Sequence, residues 1–238
     1  MPGFRRVSED ELLGAWLFRV DRLQLLDPKG NSFERVVVRH PGAVTVVPAH
    51  DDGTVTLVRQ YRAAVDAYVL EIPAGTRDRD GEPVEATARR ELAEEAGLAA
   101  AHWEHLIETW NTPGVSDQRT TIFLATGLTA TERKPDGVEE GYLEVERVRL
   151  ADLDELVALG TLKDETTVLG LYMARERLAG TGRLAGLAHS VTGAAAVAAT
   201  TPCRAARRST SRGSRWSGAA LPARWPRTAA TWRRTRRR

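Results

Sequence analysis

The sequence predicts a mixed α/β fold of the α+β kind, a layered sandwich, over residues 1–179. Three observations carry this reading. The elements run as many strands, one central helix, more strands and then helices. The strict strand–helix alternation of a doubly wound parallel sheet is missing. From Gly180 onward the composition changes so sharply that the rest reads as a disordered appendage.

Each element has its own signal. Residues 16–24 (WLFRVDRLQ) and 33–40 (FERVVVRH) alternate partly and predict strands, with the turn residues DPKGN between them. In residues 43–62 two β-branched runs flank Asp51-Asp52-Gly53, which predicts a β-hairpin. AYVLEIPAG (67–75) reads as one further strand. A helix follows. Pro83 suits its first position, and Glu82 and Glu85 suit its positive end. Val84, Ala88, Leu92 and Ala96 make an apolar stripe, and Gly97 is a left-handed stop. HWEHLIETW (102–110), RTTIFLATGL (119–128) and LEVERVRL (143–150) read as strands. ADLDELVALGTL (151–162) and DETTVLGLYMARERLAG (164–180) read as helices. No internal repeat is present.

Charge is divided unevenly. The formal net charge of +2 comes from 34 basic and 32 acidic residues. Residues 180–238 hold 13 arginines and no lysine, aspartate or glutamate, so the tail carries +13 and residues 1–179 carry −11. An acidic body does not suit a dedicated nucleic-acid binder. Only the tail, with Trp216, Trp225 and Trp232 among its arginines, offers a nonspecific contact to nucleic acid. The single cysteine, Cys203, rules out a disulfide framework or a cysteine-rich zinc site. The start lacks a signal-peptide core and no run is long enough to span a bilayer, so a cytoplasmic protein without membrane contact is expected.

Glu91, Glu94 and Glu95 crowd the end of the central helix, where the dipole is negative. Like charges at this spacing cost roughly 0.2–0.5 kcal/mol per pair. Arg90, four residues before Glu94, offsets one charge, and a hard divalent cation would offset the others. The bland alternative for RRELAEE alone is a solvated helix face.

The wider stretch decides between them. Gly75, six residues, Glu82, seven residues and then Arg90-Glu91-Leu92-Ala93-Glu94-Glu95-Ala96-Gly97-Leu98 resemble the Nudix box of the Nudix hydrolases. The pattern departs only in the first gap, one residue longer than the family's five. The resemblance implies an α/β/α sandwich on mixed sheets, with a small N-terminal antiparallel strand region. It also implies Mg²⁺ or Mn²⁺ held by Glu91, Glu95, Glu94 and the Ala74 carbonyl, with Arg90 orienting the carboxylates. VRQYR, LEIPAG and NTPGVSDQ, with Pro113 fifteen residues beyond Leu98, resemble the ADP-ribose pyrophosphatase branch.

That branch implies cleavage of ADP-ribose, or of another nucleoside diphosphate sugar, by a homodimer. Its implied division is residues 1–42 for dimerisation, 43–179 for the hydrolase domain and 180–238 for the tail. By position Arg62 meets a phosphate, Glu71 the terminal ribose or metal, Arg39 the adenine and Gln118 a ribose hydroxyl. Many relatives have glutamate at position 118. Glu139 or Glu140, in the loop ERKPDGVEEGYLEVE, is the expected partner of the attacking water. A catalytically silent ligand sensor is the competing reading, and the intact box carboxylates speak against it.

Overall fold

The computed structural model describes residues 3–15, 17–134 and 140–180. These residues fall in one unit, Met1–Ala194, and the second unit, Ala195–Arg238, lies outside them. The expected disordered tail is therefore outside the described residues, apart from Gly180, which closes the last helix.

Among the described residues ten strands make three sheets. The first is β1 (Arg5–Gly14), β2 (Arg19–Leu26) and β3 (Ser32–Arg39), paired antiparallel in that order. In the second, β5 (Thr54–Arg62) lies between β10 (Glu144–Arg149) and β6 (Ala67–Glu71). The third has the order β7 (Ala74–Thr76), β4 (Ala43–Pro48), β9 (Arg119–Ala130) and β8 (Leu98–Trp110). Among these, β4 and β9 run parallel.

The helices fill the layers that remain. α1 (Val84–Ala96) covers one face of the third sheet, where Ala88 and Leu92 pack with Val44, Val46, Phe123 and Ala125. The opposite face packs Val47, Ile122 and Leu124 against Leu57, Leu70 and α3 (Glu165–Gly180). Gly170 makes this approach possible. A Cβ there would lie 3.1–3.2 Å from Ile72, Ile122 and Val47. The mixed sandwich expected from the element order is what the chain forms, helix on sheet on sheet and helix.

Four details differ from the sequence reading. The β-hairpin expected over residues 43–62 does not form, because β4 and β5 belong to different sheets and pair only at the bridge Ala49–Val55. β1 has no apolar alternation and every residue of it is exposed, so no burial pattern marks it. AYVLEIPAG is two strands, because Ile72-Pro73 breaks the ladder and β7 crosses to another sheet. ADLDELVALGTL is helical only over α2 (Leu153–Ala158), after a 3₁₀ turn at Leu150–Asp152, and Gly160 (φ 69°) ends it. Among the described residues no helix is long and apolar enough to cross a membrane.

Candidate active site

The apolar stripe of α1 fixes which way its acids point. With Ala88 and Leu92 on the sheet, Glu91 and Glu95 fall on the flank facing β7 and are themselves buried. The Ala74 amide donates to Glu95 Oε2 at 2.8 Å. Glu91 lies over Gly75, where a Cβ would stand 1.9 Å from the carboxyl carbon. Gly75 is thus required by close approach rather than by its backbone angle. Gly97 (φ 63°) ends the helix with its amide on the Ala93 carbonyl.

Arg90 ties the acids together. Its Nη1 reaches Glu91 Oε1 at 2.7 Å and Glu94 Oε2 at 2.8 Å. Its Nη2 stands 3.5 Å from both Glu82 and Asp78. Burial works against the charged guanidinium, but Glu91, Glu94 and Glu82 outweigh it and raise its pKa. Glu82 also accepts from the Thr87 hydroxyl at 2.8 Å. Burial pushes its carboxyl up, and Thr87 and Arg90 more than reverse this, holding it below the ordinary value.

In front of β7 opens a cleft of about 1040 Å³. Its lining includes Arg59, Arg62, Glu71, Ala74, Gln118 and Lys163. Arg62 Nε lies 3.1 Å from both oxygens of Glu71, and Nη2 lies 2.5 Å from Oε2. Gln60 donates to the same carboxylate at 3.2 Å. Burial lowers the Arg62 pKa, and Glu71, with Glu95 and Asp164 farther off, raises it by more. Asp164 accepts from the Thr167 amide and hydroxyl at 2.7 Å, capping α3. The Ile72 amide in turn donates to Thr167 Oγ1 at 3.0 Å, pinning the strand break that aims Ala74 and Gly75.

The structure therefore gathers Ala74, Arg90, Glu91, Glu94 and Glu95 at one end of α1, and places Arg62, Glu71 and Gln118 on the adjoining cleft. Arg39 lies in a separate cluster, bonded to Glu9, Asp21 and Asp117 at 2.8–3.2 Å. Glu139 is outside the described residues. Glu140 opens a short turn, Glu140–Tyr142, and its side chain is likewise outside them. Sequence reasoning missed Gln60, Lys163 and Asp164. Of these only Asp164, just ahead of a helical run, carried a legible signal, that of an N-cap.

The donor set fits a hard divalent cation, since Glu91, Glu94 and Glu95 supply carboxylate oxygens next to the Ala74 main chain. Among the described residues no three acids or histidines already converge at ligand spacing. Arg90 instead holds one oxygen each of Glu91 and Glu94.

A family model described as the NUDIX domain matches residues 39–169. This chain belongs to the Nudix family. Within it, the chain is 34% identical over 168 residues to an ADP-ribose pyrophosphatase of Mycobacterium tuberculosis (strain ATCC 25618 / H37Rv), covering 71% of this chain and 81% of that protein. It is 35% identical over 144 residues to an ADP-ribose pyrophosphatase of Bacillus subtilis (strain 168), covering 60% and 77%. A crystal structure of an ADP compounds hydrolase superposes with a TM-score of 0.66 at 27% identity, over 76% of this chain and 97% of that one. The Nudix box and the branch motifs read from the sequence agree with these relatives.

Proposed function

We propose that this Nudix protein hydrolyses the pyrophosphate bond of ADP-ribose to AMP and ribose 5-phosphate. The observation that carries the reading is the buried Glu91–Glu95 pair against Ala74-Gly75, beside a cleft whose wall presents Arg62. The relatives named as ADP-ribose pyrophosphatases support the substrate. In the reaction a water oxygen bonds to one phosphorus while the bridging P–O bond breaks and its oxygen leaves with the other phosphate.

Glu91, Glu95, Glu94 and the Ala74 carbonyl would hold Mg²⁺ or Mn²⁺. Bound there, the ion supplies charge neutralisation for the diphosphate and lowers the pKa of a coordinated water. Arg90 orients the box carboxylates through its contacts to Glu91 and Glu94. Arg62 exchanges part of its pairing with Glu71 for a phosphate oxygen, a geometry that suits the guanidinium fork. Glu71, so released, accepts from the terminal ribose, and Gln118 bonds a ribose hydroxyl without adding charge. Arg39, released from part of its pairing with Glu9, Asp21 and Asp117, packs beside the adenine, and Glu139 or Glu140 takes the proton of the attacking water.

The first sheet exposes Val7, Leu12, Leu13 and Val36, with Phe4 just ahead of it, an apolar set that suits pairing of two copies. A second reading, another nucleoside diphosphate sugar, draws on the 29% identity to a GDP-mannose pyrophosphatase of Yersinia enterocolitica. The test is a panel of ADP-ribose, ADP-glucose, GDP-mannose and dGTP with Mg²⁺, on full-length protein whose mass is measured by light scattering. Fastest release of AMP from ADP-ribose by a dimer is expected. Faster turnover of GDP-mannose selects the second reading, and preference for dGTP sinks both.

A further inference from the structure

Thr45 holds a buried hydroxyl that no described residue satisfies. The residue is 3% exposed, and among the described residues its Oγ1 has no hydrogen-bond partner. A buried hydroxyl left unpaired costs about 1–3 kcal/mol, so natural chains rarely keep one without a use. Valine has nearly the same shape and strand preference and would avoid this cost. Thr45 also lines the large cleft. It pairs with Ala74 across β4–β7 and with Ile122 across β4–β9, so it sits in the cleft floor beside the box.

Its surroundings indicate what it meets. The formal cations of the lining, Arg59, Arg62 and Lys163, stand on the second sheet and just ahead of α3, and the box acids stand behind β7. The floor around Thr45 carries neutral groups instead. Thr120 lies opposite Ala43 on β9 and donates to Asn111 Oδ1 at 2.7 Å, and both line the cleft with Gln118. His40, also on the lining, accepts from the Gly42 amide at Nδ1 (3.1 Å), which leaves Nε2 as the protonated nitrogen of its neutral ring. Hydroxyl, amide and neutral imidazole groups match the donor–acceptor pattern of a sugar better than that of a phosphate.

We propose that Thr45 is a specificity-determining residue whose Oγ1 hydrogen-bonds a hydroxyl of the sugar on the non-nucleotide side of a nucleoside diphosphate sugar. The inference rests on the reading of this cleft as the hydrolase site. It is tested with full-length wild type, T45V and T45S, each titrated calorimetrically with ADP-ribose and with ADP in EDTA, where no turnover occurs. ADP lacks the second sugar. T45V is expected to weaken ADP-ribose binding about 5- to 10-fold and to leave ADP binding unchanged, with T45S close to wild type. Equal affinities of T45V and wild type for ADP-ribose would overturn the inference, as would equal losses for both ligands or no binding of either by wild type. A selective T45V loss in a protein that releases no AMP with Mg²⁺ would retain Thr45 and discard the hydrolase reading.

Discussion

Gly75 and Glu91 compete for the same space, and the site exists because the glycine yields it. A Cβ at position 75 would lie 1.9 Å from Glu91 Cδ and 2.1 Å from its Oε1. The carboxylate would have to leave the position beside Ala74. Displacement of a reacting or ligating group by an ångström costs on the order of 10²-fold in rate. G75A should therefore fold, with a far-UV spectrum like wild type, and lose about that factor in kcat for AMP release. An activity within threefold of wild type would show that Glu91 is not needed where it stands. The identity of Gly75 was legible from the box pattern. The reason for it was not, because it depends on a side chain sixteen residues away in sequence.

At the scale of elements, α1 was the most legible part of the chain. Pro83, the four-residue apolar stripe and Gly97 each specify a local feature, and the helix spans Val84–Ala96, with Pro83 as its N-cap rather than its first residue. β1 was illegible because both of its faces are exposed, so it is held by pairing with β2 and by the Glu9 ion pairs, neither of which leaves an apolar pattern. Within α1, Thr87 is fully buried and braces Glu82, which stands near Arg90. The Glu82 carboxyl is held below its ordinary value of 4.5. A depressed folded pKa gives stability that is present above the unfolded value and lost as pH falls through the folded one. T87V should destabilise the protein at pH 7 by about 1 kcal/mol. That deficit should shrink as pH falls through the lowered Glu82 pKa, where the carboxyl takes up its proton. Urea unfolding of both proteins at pH 7 and pH 3 measures this. A deficit equal at the two pH values would mean that the hydroxyl acts through packing alone.

At the scale of the whole molecule, the buried hydrophobic core runs from Leu23 to Leu178. Residues 181–238 add 13 of the chain's arginines and its one cysteine but only small or isolated apolar side chains. A chain ending at Gly180 is expected to keep its melting temperature within about 2 °C, a shift that corresponds to under about 1 kcal/mol for a domain of this size. It should also keep its turnover of ADP-ribose. A large loss of either would assign the tail a structural or catalytic part that its composition does not announce.

The sequence by itself determined the family, the box helix and its metal-type donor set, because these rest on short-range spacing. A helix repeats every 3.6 residues, so Glu91, Glu94 and Glu95 share a side whatever surrounds them. Only the tertiary structure decided what those side chains meet. Arg62 pairs with Glu71 because β5 and β6 are neighbours, and Arg39 joins Glu9, Asp21 and Asp117 because the first sheet abuts the 111–118 loop. Thr45 reads in sequence as one more β-branched residue of a buried strand. Its orphaned hydroxyl follows from the pairing of β4 with β7 and β9, which removes it from water and sets it in the cleft floor with no partner among the described residues. Contacts of this kind come from strands far apart in the chain, and no local pattern encodes which side chain will stand opposite.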